Sequence, residues 1–599
     1  EKGFSFFHPE ELDVKTKAWL RHYFEEQIYP VVTPLAVDSG HPFPFLANNT
    51  INAIVRIFQV QPDGTKDYKI AILPIPSVLD RIIEVPSSSN KVHRFVYLED
   101  VISYYAIQFF QGYGIEEAMI FRLTRDADLE IDEEDAKDLL TEVEASLRRR
   151  RRGDAVRLEV VRAGSPELLR TVLASVELEE KDVYHLDGHL DCRMYFDFSN
   201  YPGYDNLRYK PFEPKIPSDL IGFEGENLLD VIRNRDIFVH HPFESFSVVE
   251  QFVAQAAVDP NVLAIKQTLY RVSGESPIIA SLIKAADNGK QVTVLMEVKA
   301  RFDEEHNITM ARRLEKAGCH VIYGLKGLKT HSKITMVVRR EEDGIRRYVH
   351  LATGNYNGKT ARIYTDCGIF TCNDEYGDDA SRFFNLISGY SDPPIWNKFI
   401  VAPLNLRERI MDLIDEEIQC AKRGEDAYII AKMNSLLDKK VIAKLYEASA
   451  NGVRIDLIVR GICTLRPGIA GVSDNITVRS IVGRFLEHHR LFYFRNGGNE
   501  KIFLSSADWM PRNLNERVEL MIPIEDKRHK ARIKGILDLY LVDTLKAHLM
   551  RSDGSYYKVS NIEGPLSAQE ELMEAANTQD SREQMTVIER FKPMFKMKE

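Results

Sequence analysis

The chain has 599 residues, of which 44% are hydrophobic and 28% are charged, and its net charge at pH 7 is −11. This composition is typical of a globular protein and excludes a disordered one. The length exceeds the ~250–300 residues that one hydrophobic core serves, so we expect about three domains. The acidic balance argues against general coating of nucleic acid but leaves room for local basic clefts.

The six cysteines are scattered and none forms a CxxC pair, so we expect reduced, buried thiols of a cytosolic protein. No run of ~18 apolar residues is present, and we therefore expect no membrane-spanning segment. No signal peptide precedes the opening "EKGFSFFHPEELD". Because that opening has no initiator methionine, we expect it to lie inside a longer protein.

Residues 1–210 mix short apolar runs with turns, and apolar residues at helical spacing predict one strong helix at 132–152. This helix ends in five arginines, 148–152. They could extend a basic wall for an anionic ligand, or they could be a solvated helix end stabilised by the helix dipole. The proline-rich segment 209–220 predicts a domain boundary, since proline stops helices and central strands.

From about residue 260 the pattern alternates between strands and helices, which predicts a sheet with parallel strands covered by helices. The predicted strands are 261–267, 291–298, 320–324, 333–338 and 347–353, and the predicted helices are 276–289 and 307–318.

The same order recurs further along the chain, which predicts an internal duplication of an α/β unit. The second set has strands at 426–433, 453–461, 490–494 and 501–508 and a helix at 438–452. Gly289 and Gly452 end matching helices, and each is followed eight residues later by a charged residue at a strand end, Glu297 and Arg460. Ligands of such sheets bind beyond the carboxyl ends of the strands, where Arg460 and Arg301 are predicted to lie.

Each predicted half carries a histidine with a cation two residues later, His331 with Lys333 and His488 with Arg490. We expect both pairs on strands, where residues two apart face the same side. Polar loops of small residues follow in both halves, at 352–362 and 505–513. The two halves would therefore form one site where they meet.

This pattern suits phosphoryl transfer through a phosphohistidine, because a neutral imidazole is a good nucleophile towards phosphorus. A nearby lysine, Lys333, is expected to lower the pKa of His331 and then to neutralise the bound phosphate. The plainer alternative is surface decoration, although the duplicated spacing argues against it. We expect His489 to face away from the site and His350 to be a core histidine.

The pair His240–His241 could bind a metal, but no carboxylate or cysteine is spaced along the sequence to complete such a site. We therefore expect no metal there.

These stretches resemble the bacterial type-one polyphosphate kinases, which polymerise the γ-phosphate of ATP into inorganic polyphosphate. The resemblance runs from about residue 20 to about residue 550. It is carried by "HPFPF" (41–45), "HHPFESF" (240–246), "IKQTLYRVSGESPI" (265–278), "EVKARFDEEHNI" (297–308), "GLKTHSK" (327–333), "YVHLATGNYNGKTARIYTD" (348–366) and "RFLEHHRLFYFRNGG" (484–498).

The resemblance implies an α/β fold with a mixed α+β first domain and two duplicated, phospholipase-D-like α/β sandwich domains. The implied domains are a head domain for oligomerisation at 1–216, a first catalytic domain at 217–397, and a second at 398–599 with a helical tail. The family normally begins with a further helical domain carrying a Ser-Asn-Leu-Asp-Glu-Phe-like motif. This sequence lacks that motif, and we expect that domain to be missing here.

The resemblance also implies roles for individual residues. His331 corresponds to the histidine that is phosphorylated, and His488 to the second essential histidine, close to the ATP. Tyr364 and Arg460 correspond to residues that contact the nucleotide.

Arg271 and Arg301 correspond to arginines near the phosphates of the Mg²⁺-nucleotide. A guanidinium has no lone pair for a metal, so we expect these two to clamp phosphate beside the Mg²⁺ ion, whose direct ligands stay unidentified. Lys333 and Arg490 would support a basic cleft around them.

The partners implied are ATP or ADP and inorganic polyphosphate, with no nucleic acid. A homodimer or homotetramer in the cytoplasm is implied, with a loose peripheral contact with the membrane.

Two other functions are compatible with the pattern. A phospholipase-D-like phosphodiesterase carries H-x-K, then four residues, then Asp, but the residues at the Asp positions here are Val338 and Arg495. A non-catalytic polyanion-binding protein is the second, and the intact His331 and His488 argue against it.

Overall fold

The computed structural model describes residues 3–87, 92–126, 139–150, 153–161, 166–223, 225–272, 275–300, 303–389, 392–559 and 564–578. The chain divides into two compact units, Glu1–Asp132 with Glu144–Arg208 and Glu133–Val143 with Tyr209–Glu599. Three of the predicted basic residues, Arg151, Arg152 and Arg301, lie outside the described residues. The two alternatives for the arginine run therefore stay open, as do the predicted domain boundaries.

The first 208 residues contain nine strands and five α-helices in their described part. They are β1 (Phe4–Phe6), α1 (Val14–Tyr23), β2 (Leu35–Val37), β3 (Ile51–Val60), β4 (Lys66–Pro74), β5 (Ile82–Val85), β6 (His93–Tyr97), α2 (Leu98–Tyr104), β7 (Gly114–Arg125), α3 (Leu139–Arg150), β8 (Ala155–Val161), α4 (Pro166–Val176), β9 (Val183–Leu186) and α5 (Met194–Phe198). The helix predicted at 132–152 is observed as α3.

A six-stranded sheet, in the order β2-β4-β3-β7-β8-β9, organises the first unit. Its strand β3 is apolar on both faces, because Ala53 and Val55 pack into one core cluster and Ile54 into another. The β3–β4 hairpin turns at Asp63-Gly64, where Gly64 takes a φ of 85° that glycine adopts without strain. This unit is therefore the mixed α+β domain that was expected.

The first half of the second unit contains α6 (Leu228–Asn234), β10 (Ile237–His241), α7 (Ser247–Val258), β11 (Val262–Leu269), α8 (Pro277–Asp287), β12 (Gln291–Met296), α9 (Glu304–Lys316), β13 (His320–Ile322), β14 (Lys329–Thr330), β15 (Lys333–Glu341), β16 (Gly344–Ala352), β17 (Tyr364–Thr371) and α10 (Asp374–Ser388).

The second half contains β18 (Ile400–Ala402), α11 (Leu406–Lys422), β19 (Tyr428–Met433), α12 (Lys439–Ala450), β20 (Arg454–Val459), β21 (Ile476–Ile481), β22 (Leu486–Glu487), β23 (Arg490–Phe494), β24 (Lys501–Ser505), α13 (Pro511–Asn515), β25 (Arg517–Ile524), α14 (Lys527–Leu541), β26 (Ala547–Met550), β27 (Tyr556–Lys558) and α15 (Ala568–Asn577).

The predicted duplication is confirmed by the order of the strands. In the first half β11, β12 and β13 are parallel, and β15, β16, β17 and β10 continue the sheet as antiparallel neighbours. In the second half β19, β20 and β21 are parallel, and β23, β24, β25 and β18 follow in the same way. The helices before both second strands end at glycines with positive φ, Gly289 and Gly452, which favour a helix C-terminus.

One short strand from each half pairs with the sheet of the other half. Strand β14 pairs in parallel with β25 of the second half, and β22 pairs in parallel with β17 of the first. One core cluster also contains side chains from both sheets, such as Ile334 and Leu491. The exchange places the residues that follow β14 and β22 at the junction of the two sheets.

All six cysteines are free thiols. Cys319, Cys367 and Cys420 are buried as expected, but Cys192 is exposed, so the prediction is wrong for that residue. Within the described ranges, no helix is both long and apolar enough to span a bilayer.

Candidate functional site

His331 lies in the two-residue break between β14 and β15, so the prediction that it is part of a strand is wrong. The backbone N–H groups of His331 and Ser332 both donate to the carbonyl of Val518 in β25, each at 2.9 Å. The chain therefore leaves one sheet and enters the other at this point, and this crossing fixes the position of the imidazole. The same break occurs at His488 and His489, between β22 and β23.

The imidazole of His331 is 7% exposed, and its Nδ1 lies 2.9 Å from both carboxylate oxygens of Glu519 in β25. Ser506 Oγ and Asn513 Nδ2 donate to the same carboxylate at 2.5 and 2.6 Å, which holds it in place. Burial raises the pKa of Glu519, and the charges of Lys333 and Arg517 oppose that effect. In its ionised form the carboxylate only accepts hydrogen bonds, so Nδ1 of His331 then carries the proton. The lone pair of Nε2 is then free to act as a nucleophile.

Burial holds the pKa of His331 well below its usual value of 6.5, and the charges of Lys333 and Arg517 lower it further. The expected direction is confirmed, although burial and not Lys333 is the larger cause. Burial also holds the pKa of Lys333 well below its usual range, and its ammonium group donates to the carbonyl of His331. Burial therefore disfavours the charged form of both His331 and Lys333, and Glu519 is the main group that favours the ammonium form of Lys333.

Tyr270 closes one side of this nucleophile. Its ring meets the His331 ring edge-on, with centroids 5.1 Å apart, and the Lys333 ammonium lies 5.3 Å from the Tyr270 centroid. Burial raises the pKa of the Tyr270 phenol. The phenol thus stays neutral and fixes the plane of the imidazole.

His488 is held in the reciprocal way, by a carboxylate from the first half. Its Nδ1 lies 2.7 Å from Asp366 Oδ1, and Thr353 Oγ1 donates to that oxygen at 2.6 Å. Burial lowers the pKa of His488, and Asp366 opposes that effect. Arg490 donates from one Nη to His488 Nε2 at 3.2 Å, and it is paired with Asp508 at 3.0 Å.

The second half acts electrostatically on His331. The charges of Arg490 and His488 both lower the pKa of His331, and His331 Nδ1 contacts Glu519 of β25. That His331 and His488 form one site stays a prediction. Lys333 and Arg490 both lie at this junction, where the exchanged strands meet.

Tyr364 and Arg460 lie on the His488 side. The ring of Tyr364 is 5.2 Å from that of His488. Arg460 follows the carboxyl end of β20, as expected, and its Nε donates to the carbonyl of Glu487 at 2.7 Å and to Asn434 Oδ1 at 3.2 Å. These contacts aim a fixed guanidinium at the region beside the Tyr364 ring.

Arg271 lies on the other side, next to Tyr270, and its Nε is 2.7 Å from Asp303 Oδ2. The Asp303 carboxylate is 37% exposed, so it can reach a ligand. Mg²⁺ is commonly held in proteins by one or two carboxylates together with substrate phosphates. The pair thus offers one guanidinium and one partly exposed carboxylate side by side, a chemistry that suits a phosphate with a bound metal ion.

Four residues of the site were not predicted from the sequence: Glu519, Asp366, Tyr270 and Asp303. The duplication contained a signal for two of them, because the third residue of β17 and the third residue of β25 are both acidic. Tyr270 has no counterpart that would mark it, since the matching residue of the second half is Asn434.

Neither histidine motif has the acidic residue of a phosphodiesterase. Val338 lies in β15, and Arg495 pairs with Asp426 at 2.8 Å and with Glu500 at 2.5 Å. His350 is buried with its Nδ1 3.0 Å from the Tyr356 hydroxyl, as expected of a core histidine.

Comparison with known proteins gives consistent matches over almost the whole chain. Three family models match, described as polyphosphate kinase middle domain (residues 15–198), C-terminal domain 1 (227–393) and C-terminal domain 2 (399–569). The chain is 51% identical to a polyphosphate kinase of Halalkalibacterium halodurans, over 95% of this chain and 81% of that protein.

A polyphosphate kinase of Bacillus cereus is also 51% identical, over 92% of this chain and 79% of its own length. Among solved structures, the polyphosphate kinase of Porphyromonas gingivalis superposes with a TM-score of 0.85 at 32% identity. That match covers 96% of this chain and 85% of the other.

Proposed function

The chain belongs to the polyphosphate kinase family, and we propose that it transfers the γ-phosphate of ATP reversibly to inorganic polyphosphate through a phosphohistidine at His331. The observation that carries the proposal is the 2.9 Å contact between His331 Nδ1 and Glu519, within a buried basic site. This contact leaves Nε2 unprotonated, and a free imidazole nitrogen is what attack on phosphorus requires.

The first step forms a bond between His331 Nε2 and the γ-phosphorus while the bond from that phosphorus to the bridging oxygen breaks, which releases ADP. In the second step a terminal oxygen of polyphosphate attacks the phosphorus and the N–P bond breaks. The imidazole returns to its starting form with Nδ1 still protonated. Both steps run in either direction, so the concentrations of ATP, ADP and polyphosphate determine the net direction.

Charge neutralisation is supplied by the cations around the nucleophile. Phosphoryl transfer depends mainly on positioning and on stabilising negative charge at the phosphoryl oxygens. Lys333 is buried beside His331, and Arg490 is fixed by Asp508 and His488. In this arrangement His488 orients Arg490 and takes part in holding the transferred group.

The nucleotide would lie between Arg460 of the second half and Arg271 of the first half. Tyr364 would stack on the base or contact the ribose, Arg460 would bind its phosphates, and Arg271 would clamp the phosphates next to Asp303. Mg²⁺, held there with the nucleotide, supplies neutralisation of charge on the phosphate oxygens. Asp303 is the carboxylate that would hold it.

The experiment measures phosphate transfer in both directions, ATP to polyphosphate and polyphosphate to ADP, with diester hydrolysis measured in parallel. We expect transfer in both directions and no diesterase activity. His331→Gln should abolish both directions, whereas His22→Gln, an exposed histidine of α1, should leave both unchanged. Diester hydrolysis without phosphate transfer, or polyphosphate binding without either reaction, would contradict the proposal.

The family resemblance also supports a homodimer or homotetramer in the cytoplasm with a loose contact with the membrane. Analytical ultracentrifugation measures the first part of this proposal, and a monomer at all concentrations would contradict it. Fractionation of cells into soluble and membrane material measures the second.

A further inference from the structure

A second cluster of histidines lies beside His488, away from the proposed nucleophile. In the described part of the chain, His240, Cys367 and His489 bring one ligand atom each to within 4.8 Å of one another. His240 in β10 lies directly opposite Cys367 in the antiparallel pair with β17, and His489 comes from the second half. The three residues are between 0% and 1% exposed.

Three of the four ring nitrogens of this cluster make no hydrogen bond of normal geometry. Among the described residues these are His240 Nε2 and both ring nitrogens of His489, although the backbone of Thr365 lies close enough to raise the pKa of His489. Buried polar groups in native proteins are nearly always hydrogen-bonded, so three such atoms at one place need a ligand. The rings of His240 and His489 lie edge-on with centroids 5.3 Å apart, and one nitrogen of each ring lies within 4.8 Å of the other and of Cys367 Sγ.

We propose that His240, Cys367 and His489 bind one Zn²⁺ ion. Two imidazole nitrogens and one thiolate are ligands that zinc prefers, at about 2.0–2.1 Å for nitrogen and about 2.3 Å for sulfur. Tetrahedral geometry at those lengths places ligand atoms roughly 3.5 Å apart, so the cluster has to contract by about 1 Å. The fourth position is open to a water molecule.

The charges around the cluster are balanced, which removes the main objection to a buried cation. Lys432 is paired with Glu487 at 2.8 Å, and Arg532 is paired with Glu244 at 2.7 Å. Binding would require the Cys367 thiol to lose its proton to solvent, which leaves a thiolate to offset one of the two metal charges. The pairs on both sides then remain intact.

The position of the site implies that the ion holds the residues around His488 in place. Cys367 follows Asp366, and His489 follows His488, so two of the ligands are direct neighbours of the contact that holds the second site histidine. The ion would join β10 and β17 of the first half to the break between β22 and β23 of the second. It would thus fix the two halves together behind His488, as positioning residues do.

The test uses the full chain, produced with zinc in the growth medium and freed of loosely bound metal by dialysis. We expect one zinc ion per chain by mass spectrometry of the metal content. After exchange with Co²⁺ we expect a thiolate-to-cobalt charge-transfer band in the near ultraviolet. Cys367→Ser and His489→Gln should lose the ion and the band, whereas Cys319→Ser, which alters another buried thiol, should keep both.

The thermal midpoint separates loss of the ion from loss of the fold. Addition of a chelator should lower the midpoint of the wild-type chain but not that of a folded Cys367→Ser variant, because only the former has an ion to lose. If the variants do not fold, the cobalt spectrum of the wild-type chain decides. A wild-type chain with no bound zinc and no charge-transfer band would overturn the proposal and leave the cluster to an ordered water molecule.

Discussion

The two halves of the second unit have the same strand order and the same histidine position, but they are charged differently. Lys333 and Arg490 occupy matching places at the start of β15 and β23. Arg490 is neutralised by Asp508, whereas the position that matches Asp508 in the first half is the neutral Asn355. Arg490 is thus held by a carboxylate of its own half and donates to His488, whereas the charged form of Lys333 is favoured mainly by Glu519, which comes from the second half.

A second matched pair differs in the same sense. At the end of β12, Glu297 accepts a hydrogen bond from the backbone N–H of Thr330 at 2.7 Å. At the end of β20, Arg460 donates to the backbone carbonyl of Glu487 at 2.7 Å. Both side chains fix the exchanged strand, but only the second is a cation, so Arg460 would add a phosphate-binding group in the second half to the one that Arg271 provides in the first.

The largest expected loss of activity comes from substituting the two histidines. His331→Ala should lower polyphosphate synthesis by at least ~10,000-fold, since no other side chain can replace the nucleophile. His488→Ala should lower the rate less, by roughly 100–1,000-fold, because His488 orients the charged Arg490 side chain and forms no bond to phosphorus. Steady-state rates at saturating ATP measure both. A fully active His488→Ala enzyme would show that the second half contributes no essential histidine.

The next effect concerns the two carboxylates. Glu519→Gln should lower the rate by about 100-fold or more, because an amide can stabilise the wrong tautomer of His331. Asp366→Asn should cost less, since His488 is not the nucleophile. Partial unfolding would lower the rate but would not change which ring nitrogen carries the phosphate. The phosphohistidine isomer is therefore measured as well.

In the wild-type enzyme, phosphorus NMR should show the phosphate on Nε2 of His331. Glu519→Gln should give a mixture of the Nε2 and Nδ1 isomers in whatever protein is labelled. If Glu519→Gln carried phosphate on Nε2 alone and reacted at the wild-type rate, Glu519 would not set the tautomer of His331.

Arg271 offers a smaller and more specific effect. Arg271→Ala should cost on the order of 2–4 kcal/mol of transition-state stabilisation, or ~30–1,000-fold in kcat/KM. Arg271→Lys should recover little of it, because lysine keeps the charge but loses the forked donors. Near wild-type kinetics in the lysine variant would show that this arginine only attracts the nucleotide electrostatically. Arg301 invites the same pair of substitutions.

The smallest expected effect concerns pH: the His331 imidazole should not titrate near neutral pH. Because burial holds the pKa of His331 well below 6.5, its imidazole should remain neutral as pH falls from about 8 to about 6. The carbon resonances of the His331 ring, labelled with ¹³C, should therefore show no titration over that range, whereas free histidine in the same buffer titrates near pH 6.5. A midpoint near 6.5 for His331 would place the residue in a solvated setting.

The sequence predicted the α/β duplication well, because helix-stop glycines and alternating strands repeat at equal spacing in both halves. It also identified His331 and His488, whose motifs are local. It could not place Glu519 and Asp366, since their partners lie 188 and 122 residues away and meet only through the exchanged strands. The strand assignment of His331 was wrong for the same reason: a crossing between two sheets leaves no periodic signal.

The prediction that His240 and His241 bind no metal had a similar limitation, because it considered only the spacing of ligands along the sequence. Spacing along the sequence offered no third ligand, yet antiparallel pairing places Cys367 opposite His240. His489 was expected to face away from the site, and its ring does contact His240 on a separate side. Cross-strand register, which a single sequence does not contain, brings these residues together.

Labelling with γ-³²P-ATP, followed by proteolysis and peptide mapping, shows whether His331 carries the transferred phosphate. We expect an acid-labile, alkali-stable label on the peptide that contains His331. That label should be removed by ADP with formation of ATP and by polyphosphate with chain growth. It should be absent from His331→Gln and retained by His22→Gln. A label that persists in His331→Gln, or one that maps to another peptide, would contradict the account.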